Sequence, residues 1–369
     1  MDTTLIKEIC SRFGVNNEIV SIEPITDGLV NTTLKVDFDD SSSYLVQKIN
    51  TQAFKKPAEL MENISRVTTY LREVIRKNGG NPDRETLTFL SAENGDYFVY
   101  DDNGGCWRIY RFIGDAFTYN TIENSSVFED AGSAFGKFLN LLDGYPMDSL
   151  HETIVNFHNT RIRVENLEAS IKNNLSGRAD NVNAEIAFAL DRKAEASRLV
   201  DMLEKGELPL RVTHNDTKLN NVLFDTKTGK AFCVIDLDTI MPGLSLYDFG
   251  DSLRFGSNTA AEDEADLSKV SVDLELFEAF ARGYLSSAAF TLTQNEIDNL
   301  AFSAKLMTYE CGVRFLTDYI DGDIYFKTKY AEHNLVRARN QFALVADMEK
   351  HMDEMNAIIQ KLCAELSAK

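Results

Sequence analysis

The sequence predicts an α+β protein in two lobes, a small β-rich part with one main helix followed by a larger, mainly helical part. Three observations carry this. Period-two apolar patterning dominates the first third, the pattern changes to a helical period after Gly114-Asp115, and the later part holds a single clear hairpin, over residues 222–235. The expected division is 1–114 and 115–369, with a hinge near 112–116.

Residues 32–38 alternate apolar and polar side chains, and 44–49 follow after a polar turn, so the two read as antiparallel strands. Pro57 then opens a helix whose apolar face is Leu60, Ile64, Val67, Leu71 and Val74. Gly79-Gly80 closes it, giving proline at the start and glycine past the end. A further strand is expected around 107–113. Ser126-Val127-Phe128-Glu129 fits a capping box, and Phe128, Ala131, Phe135, Phe138 and Leu142 form one stripe of the helix it would start.

The chemistry concentrates around the hairpin. His214-Asn215-Asp216-Thr217-Lys218-Leu219-Asn220-Asn221 precedes it and Ile235-Asp236-Leu237-Asp238 ends it. If the turn centres between Thr228 and Gly229, Asn221 and Asp236 stand opposite each other with Cα atoms roughly 4.5–5.5 Å apart. An amide oxygen beside a carboxylate suits one hard cation that keeps its other sites for water and phosphate oxygens, here Mg2+. Asp238, two residues on, would reach a second ion or the water around the first. Asp216 is expected to take the proton of an acceptor hydroxyl in line with the γ-phosphate of ATP. A surface hairpin with polar flanks is the bland alternative. Asp248-Phe249-Gly250 carries a familiar metal-binding triplet of letters, yet nothing in the hairpin register returns it to the metal. Asp248 is therefore expected to brace the loop through backbone hydrogen bonds.

Composition limits the possible partners. With 369 residues, 44% of them apolar and 26% charged, the chain can bury one large or two modest cores. A formal charge of −20 argues against nucleic acid and against anionic membrane surfaces, and no stretch is apolar enough to span a bilayer. The start of the chain lacks the basic residues and apolar run of a signal peptide. Five scattered cysteines with no Cys-x-x-Cys pair fit buried thiols in a reducing cytoplasm and argue against a zinc site. A monomer acting on a small molecule is the expectation.

The 211–221 segment, Ile235 to Gly243, and Asp248-Phe249-Gly250-Asp251-Ser252 together resemble the signatures of the aminoglycoside phosphotransferase and choline kinase superfamily. The likeness is closer to N-acetylhexosamine 1-kinases through Glu310-Cys311-Gly312-Val313-Arg314-Phe315-Leu316, Tyr325-Phe326, and Glu332-His333-Asn334-Leu335-Val336-Arg337. The resemblance implies a bilobal protein-kinase-like fold, ATP with Mg2+, and phosphorylation of the anomeric hydroxyl of N-acetylglucosamine or N-acetylgalactosamine. A kinase acting on an aminoglycoside, choline or homoserine is the alternative within the superfamily. A nucleotide-binding pseudokinase is the alternative outside it, disfavoured because Asp216, Asn221 and Asp236 are all present.

On the nucleotide side, Asp27-Gly28-Leu29-Val30-Asn31 would cover the phosphates, with Gly28 allowing close backbone approach and Asn31 and Thr32 donating to phosphate oxygens. Lys48 is the basic candidate for the α- and β-phosphates, although the family pattern would also let Gln47 take that slot, and adjacent strand residues face opposite ways. Glu59 or Glu62 would orient such a lysine. The resemblance puts adenine near Phe112 and Gly114.

On the acceptor side, Arg314 sits on a largely apolar stretch and needs a partner or a ligand. Asp318, Asp248 and Glu310 are its candidate salt-bridge partners. The resemblance instead gives Arg314 and Tyr325 to the sugar pocket, with His333 and the 157–161 segment as secondary candidates. His214 is grouped with Asp216 as catalytic, its expected part being to fix the loop by hydrogen bonding.

Overall fold

The computed structural model describes residues 3–26 and 30–368. The chain forms two compact units, each discontinuous in sequence. One comprises 1–117, 144–155 and 223–241, and the other 118–143, 156–222 and 242–369. The hairpin, from residue 223 on, thus belongs with the strand-rich part of the chain.

The first unit is built on a five-stranded antiparallel sheet. Its elements are α1 (Thr3–Arg12), β1 (Ile19–Ile25), β2 (Thr32–Phe38), β3 (Ser43–Ile49), α2 (Pro57–Lys77), a one-turn α3 (Pro82–Glu85), β4 (Val99–Tyr100) and β5 (Cys106–Arg111), with strand order β1-β2-β3-β5-β4. Because strand side chains alternate, the register decides which residues share a face. Lys48 pairs with Thr32 and with Trp107, whereas Gln47 pairs with Thr33 and with Arg108. Helix α1, which the sequence reading did not anticipate, lays Ile6, Ile9 and Cys10 against Leu34, Val36, Val46, Trp107 and Ile109 on the Lys48 face. The opposite face turns Thr33, Gln47 and Arg108 inward, where Met61 of α2 meets the Arg108 guanidinium at 3.6 Å. A second sheet, order β6-β8-β9, joins β6 (Ala116–Phe117) to the hairpin of β8 (Val222–Asp225) and β9 (Ala231–Val234).

The hairpin turn differs from the expected one. Asp225 N–H donates to Lys230 O at 2.9 Å, so the turn closes on residues 226–229, one position earlier than the sequence placed it. The cause is the Asp225 carboxylate, which accepts from the backbone of Lys227 at 3.1 Å and Thr228 at 2.9 Å and nucleates the turn locally. Asn221 ends a short 3-10 turn before β8, and Asp236 follows β9 in a left-handed conformation with φ 60°. Both lie outside the ladder, so the expected cross-strand pairing of these two residues does not follow.

The second unit is helical: α4 (Ser125–Leu141), α5 (Thr160–Asn173), α6 (Asn183–Asp191), α7 (Lys193–Ala196), α8 (Arg198–Glu204), then β7 (Arg211–Thr213), β10 (Met241–Gly243, whose first residue belongs to the other unit), α9 (Ser245–Gly256), α10 (Leu274–Ala288), α11 (Gln294–Asp298), α12 (Leu300–Asp321), α13 (His333–Lys350) and α14 (Met352–Ser367). Helix α4 starts at Asn124, whose side chain accepts from Val127 N–H, so Ser126 is not the cap. Helix α12 is buried on nearly every side and lies against α5, α9 and α13. Among the described residues no helix is long and apolar enough to cross a membrane.

Helices α4 and α10 approach so closely that glycine is needed at the crossing. A Cβ on Gly283 would lie 1.9 Å from Glu129 O, and one on Gly136 would lie 2.3 Å from Tyr284 O. The approach matters for the site because α4 carries Phe135 and Phe138, whose rings lie edge-on to His214 at 5.8 and 6.1 Å. Gly283→Ala is expected to destabilise the protein by about 1–3 kcal/mol through overpacking, read as a lower urea midpoint. An unchanged midpoint would show that the helices can part without cost.

Candidate active site

Strand β7 leads into the loop at 214–221, whose shape is fixed from below by α9. The Asp248 carboxylate accepts from the backbone N–H of His214 at 2.8 Å and of Asn215 at 2.7 Å. Thr217 Oγ1 donates to the Asp248 carbonyl at 2.6 Å, and Ser252 Oγ donates to the Thr217 carbonyl at 2.8 Å. Asn215 is held at φ 64°, a left-handed conformation that asparagine tolerates and that swings the chain so that Asp216 follows on the open side. Gly243 leaves the room this requires, since a Cβ there would lie 2.3 Å from Thr213 Oγ1 and 3.1 Å from Asn215 Oδ1. Asp248 itself is buried. Burial pushes its carboxyl pKa up, only partly offset by His214 and the two N–H donors.

Asp216 is half-buried and carries the loop's accessible carboxylate. Lys218, which the sequence reading passed over, places its ammonium 2.7 Å from Asp216 Oδ1. Burial works against that charge, but Asp216 and Asp251 outweigh it and the Lys218 pKa is raised. Asp-x-Lys in an extended loop was the available signal, because residues two apart then share a side. Asn221 donates its Nδ2 to the Asp216 carbonyl at 2.8 Å, which fixes the amide and leaves Oδ1 as its ligand-capable oxygen. His214 is fully buried, and its Nδ1 accepts from Asp216 N–H at 3.3 Å. It holds the loop and does not present itself to a substrate.

In the other unit Asp236 is exposed. Asp238 is buried, with Oδ1 2.5 Å from Arg108 Nη1 and Oδ2 accepting from Asn31 Nδ2 at 2.6 Å. Arg108 also donates from Nε and Nη2 to Gln47 Oε1, at 2.8 and 2.5 Å, and Gln47 Nε2 donates to Thr33 Oγ1 at 2.8 Å. Burial would lower the arginine pKa, yet Asp238 and Asp236 hold it raised. Among the described residues no cluster of three or more His, Cys, Asp or Glu forms a metal cage.

The remaining nucleotide-side candidates fall out as follows. Gly28 lies outside the described residues. Asn31 Nδ2 donates to Asp238 at 2.6 Å and its Oδ1 accepts from the N–H of Asn50 at 2.9 Å. Thr32 is exposed, and so is Lys48, which lies over the Trp107 ring at 5.6 Å on the α1 face. The inward cation is Arg108. Glu59 pairs with Lys56 at 2.9 Å and Glu62 with His151 at 2.6 Å, so neither orients Lys48. Phe112 donates its N–H to Ser43 O at 3.0 Å, and Gly114 O accepts from Arg84 at 2.9 Å.

On the acceptor side the second unit brings Arg314 and Tyr325 together, with His333 apart from them. The Arg314 guanidinium faces Phe157, Tyr325 and Phe326, at 5.6, 5.9 and 5.5 Å from the ring centres. Tyr325 is 70% exposed. His333 is fully buried, its Nδ1 accepting from Lys329 N–H at 3.2 Å and its Nε2 3.3 Å from Asp263, so it has no nitrogen left for a substrate.

The phosphotransferase enzyme family model, APH, matches residues 21–285. The chain belongs to that family. Among solved structures it is similar to a choline kinase from Cryptosporidium parvum, 15% identical over 99% of each chain with a TM-score of 0.57. It is also similar to an amicoumacin kinase in complex with AMP-PNP, Ca2+ and Ami, 14% identical over 95% of this chain and 94% of that one, TM-score 0.57. A GDP complex of aminoglycoside 2'-phosphotransferase-IIIa is 11% identical over 93% of this chain and 99% of that one, TM-score 0.57. At these identities the likeness establishes the kinase-like α+β fold.

The buried Arg108–Asp238 pair gives a direct test of the first unit. Asp238→Ala leaves the guanidinium buried without its counter-charge, and a loss of about 3–5 kcal/mol in unfolding free energy is expected. The double change Arg108→Met with Asp238→Leu should recover most of it. A single variant as stable as the wild type would remove the pair from the account.

Proposed function

We propose that this phosphotransferase transfers the γ-phosphoryl group of ATP to the anomeric hydroxyl of an N-acetylhexosamine, N-acetylglucosamine or N-acetylgalactosamine. The observation that carries the acceptor class is the state of Arg314. None of the three candidate carboxylates bonds to it, although its charge lies close enough to Glu310 to favour that carboxylate. Asp248 holds the loop, Glu310 pairs with His158 at 2.9 Å, and Asp318 accepts from the N–H of Tyr325 at 2.7 Å and of Phe326 at 2.9 Å. Among the described residues no hydrogen bond or ion pair ties Arg314 to an acid. Arg163 lies close enough to feel its charge and keeps a buried Nε without an acceptor. Two guanidinium groups beside an exposed tyrosine ring suit a neutral sugar, with donors for hydroxyls and an acetamido carbonyl and a flat face for the pyranose. They disfavour the quaternary ammonium of choline or a polyamine, despite the −20 formal charge of the whole chain.

Asp216 takes the hydroxyl proton as the sugar oxygen bonds to phosphorus and the bond to the ADP oxygen breaks. Lys218 supplies a cation next to that carboxylate. Asn221 and Asp236 each offer an oxygen of the type a divalent ion accepts, and such an ion, when bound, neutralises phosphate charge.

Asp216→Asn should cut turnover by about 10²–10⁴-fold while ATP binding persists. A variant that keeps more than half the wild-type rate would remove Asp216 from the role of base. Incubation with Mg-ATP and either sugar should give an acid-labile 1-phosphate by phosphorus NMR, and the methyl glycoside should be inert. Arg314→Met and Tyr325→Ala should raise KM for the sugar and leave KM for ATP nearly unchanged. Phosphorylation of the methyl glycoside, or choline or kanamycin used as well as the sugar, would overturn the sugar reading and leave the family assignment standing.

A further inference from the structure

His158 lies two residues before α5 and is buried between two elements that matter to the site. Its Nδ1 is 2.9 Å from Glu310 Oε1 on α12, and its Nε2 is 3.1 Å from the main-chain oxygen of Asn215, the residue that precedes Asp216. A carbonyl oxygen can only accept. Glu310 accepts as well, because Thr160 Oγ1 donates to its other oxygen at 2.6 Å and the charges of Arg314 and Arg163 favour the carboxylate. A ring whose two nitrogens both face acceptors carries hydrogen on both, which is the imidazolium form.

We propose that His158 is a positioning residue for phosphoryl transfer, a strut with a donor at each ring nitrogen that ties α12 to the Asn215 carbonyl and so fixes the peptide leading into Asp216. The proposal rests on the reading of Asp216 as the group that meets the acceptor hydroxyl. Asp248 holds the N–H side of this turn from α9, and His158 holds its carbonyl side from α12 through Glu310. Neutralising the ring removes one of its two donors. One end of the strut is then a lone pair against an oxygen, and the turn is released on that side.

The groups facing the ring bear on its charge from every side. Glu310 comes from α12, with Arg314 and Arg163 next to it, and Asp248, Asp251 and the Tyr247 ring come from α9. Phe157 covers the ring at 4.4 Å, and Lys218 and Arg254 lie beyond Asp251. Burial alone would discharge the imidazole, but the Glu310 carboxylate outweighs it and the pKa is raised above its ordinary 6.5. With a raised folded-state value, the strut's contribution is complete below 6.5 and is lost as pH climbs through the folded-state value.

The test uses the full-length protein with nitrogen-15 histidine. The chain has five histidines, so His158→Gln assigns the signal by its disappearance. Both His158 ring nitrogens are expected to remain protonated at about pH 7.5, where an ordinary histidine is neutral. His158→Gln should lower kcat by about 10²-fold with little change in KM for ATP. Glu310→Gln should move the alkaline limb of kcat to lower pH, together with the ring titration, a shift that packing alone would not produce. A neutral ring at that pH overturns the proposal. So does a charged ring whose titration leaves kcat unmoved in the wild type and in Glu310→Gln. Neither result touches the kinase reading; where His158→Gln fails to fold, replacing the other four histidines one at a time assigns the signal by elimination, and the ring measurement stands even where no acceptor turns over.

Discussion

The site depends on one buried carboxylate. Asp248 accepts two consecutive backbone N–H groups, His214 and Asn215, where the chain turns left-handed, and the charges of His214 and His158 favour its ionised form. Such N–H groups would otherwise be orphaned in the interior at about 1–3 kcal/mol each. Helix α9 can offer this carboxylate because it is buried along almost its whole length, so Asp248 is held by packing as well as by its bonds. Around that anchor the loop's remaining polar atoms are paired in turn, Thr217 to the Asp248 carbonyl and Asn221 to the Asp216 carbonyl. What remains accessible on the loop is the Asp216 carboxylate with its Lys218 neighbour, the pair to which the proposed function gives the acceptor hydroxyl.

Much of the fold was legible because it is written in local patterns. Strands β2 and β3 and helix α2 follow from alternation and from a proline start and glycine end. The start of α4 was misplaced by two residues because asparagine caps as well as serine does, and Asn124 stands before the box that was read. The hairpin turn was misplaced for a similar reason. Asp225 bonds the backbone two and three residues on, and that short-range interaction outranked the Thr228-Gly229 pair as a turn centre.

The site was legible where its chemistry is contiguous in sequence and opaque where it depends on partners far apart. Asp216, Asn221 and the bracing role of Asp248 follow from spacing. The commitment of Asp238 to Arg108 spans 130 positions of chain, and no pattern in either segment announces it. The choice between Gln47 and Lys48 turned on which face of β3 receives α1. Without that helix, alternation states only that the two residues face opposite ways. Arg314 shows the same limit from the other side, since none of the carboxylates expected as its salt-bridge partners bonds to it, and their engagement with other groups was visible only once the fold was in hand.

The central claim is that a neutral hydroxyl attacks the γ-phosphorus of ATP with Asp216 as proton acceptor. Oxygen-18 placed in the anomeric hydroxyl of N-acetylglucosamine tests it most directly. If the sugar oxygen is the nucleophile, all of the label must appear in the bridging oxygen between carbon and phosphorus, seen as an isotope shift in the phosphorus NMR signal of the sugar 1-phosphate, with ADP formed in equal amount. A sugar phosphate without the label would mean that the carbon–oxygen bond had broken, and would contradict phosphoryl transfer to that hydroxyl.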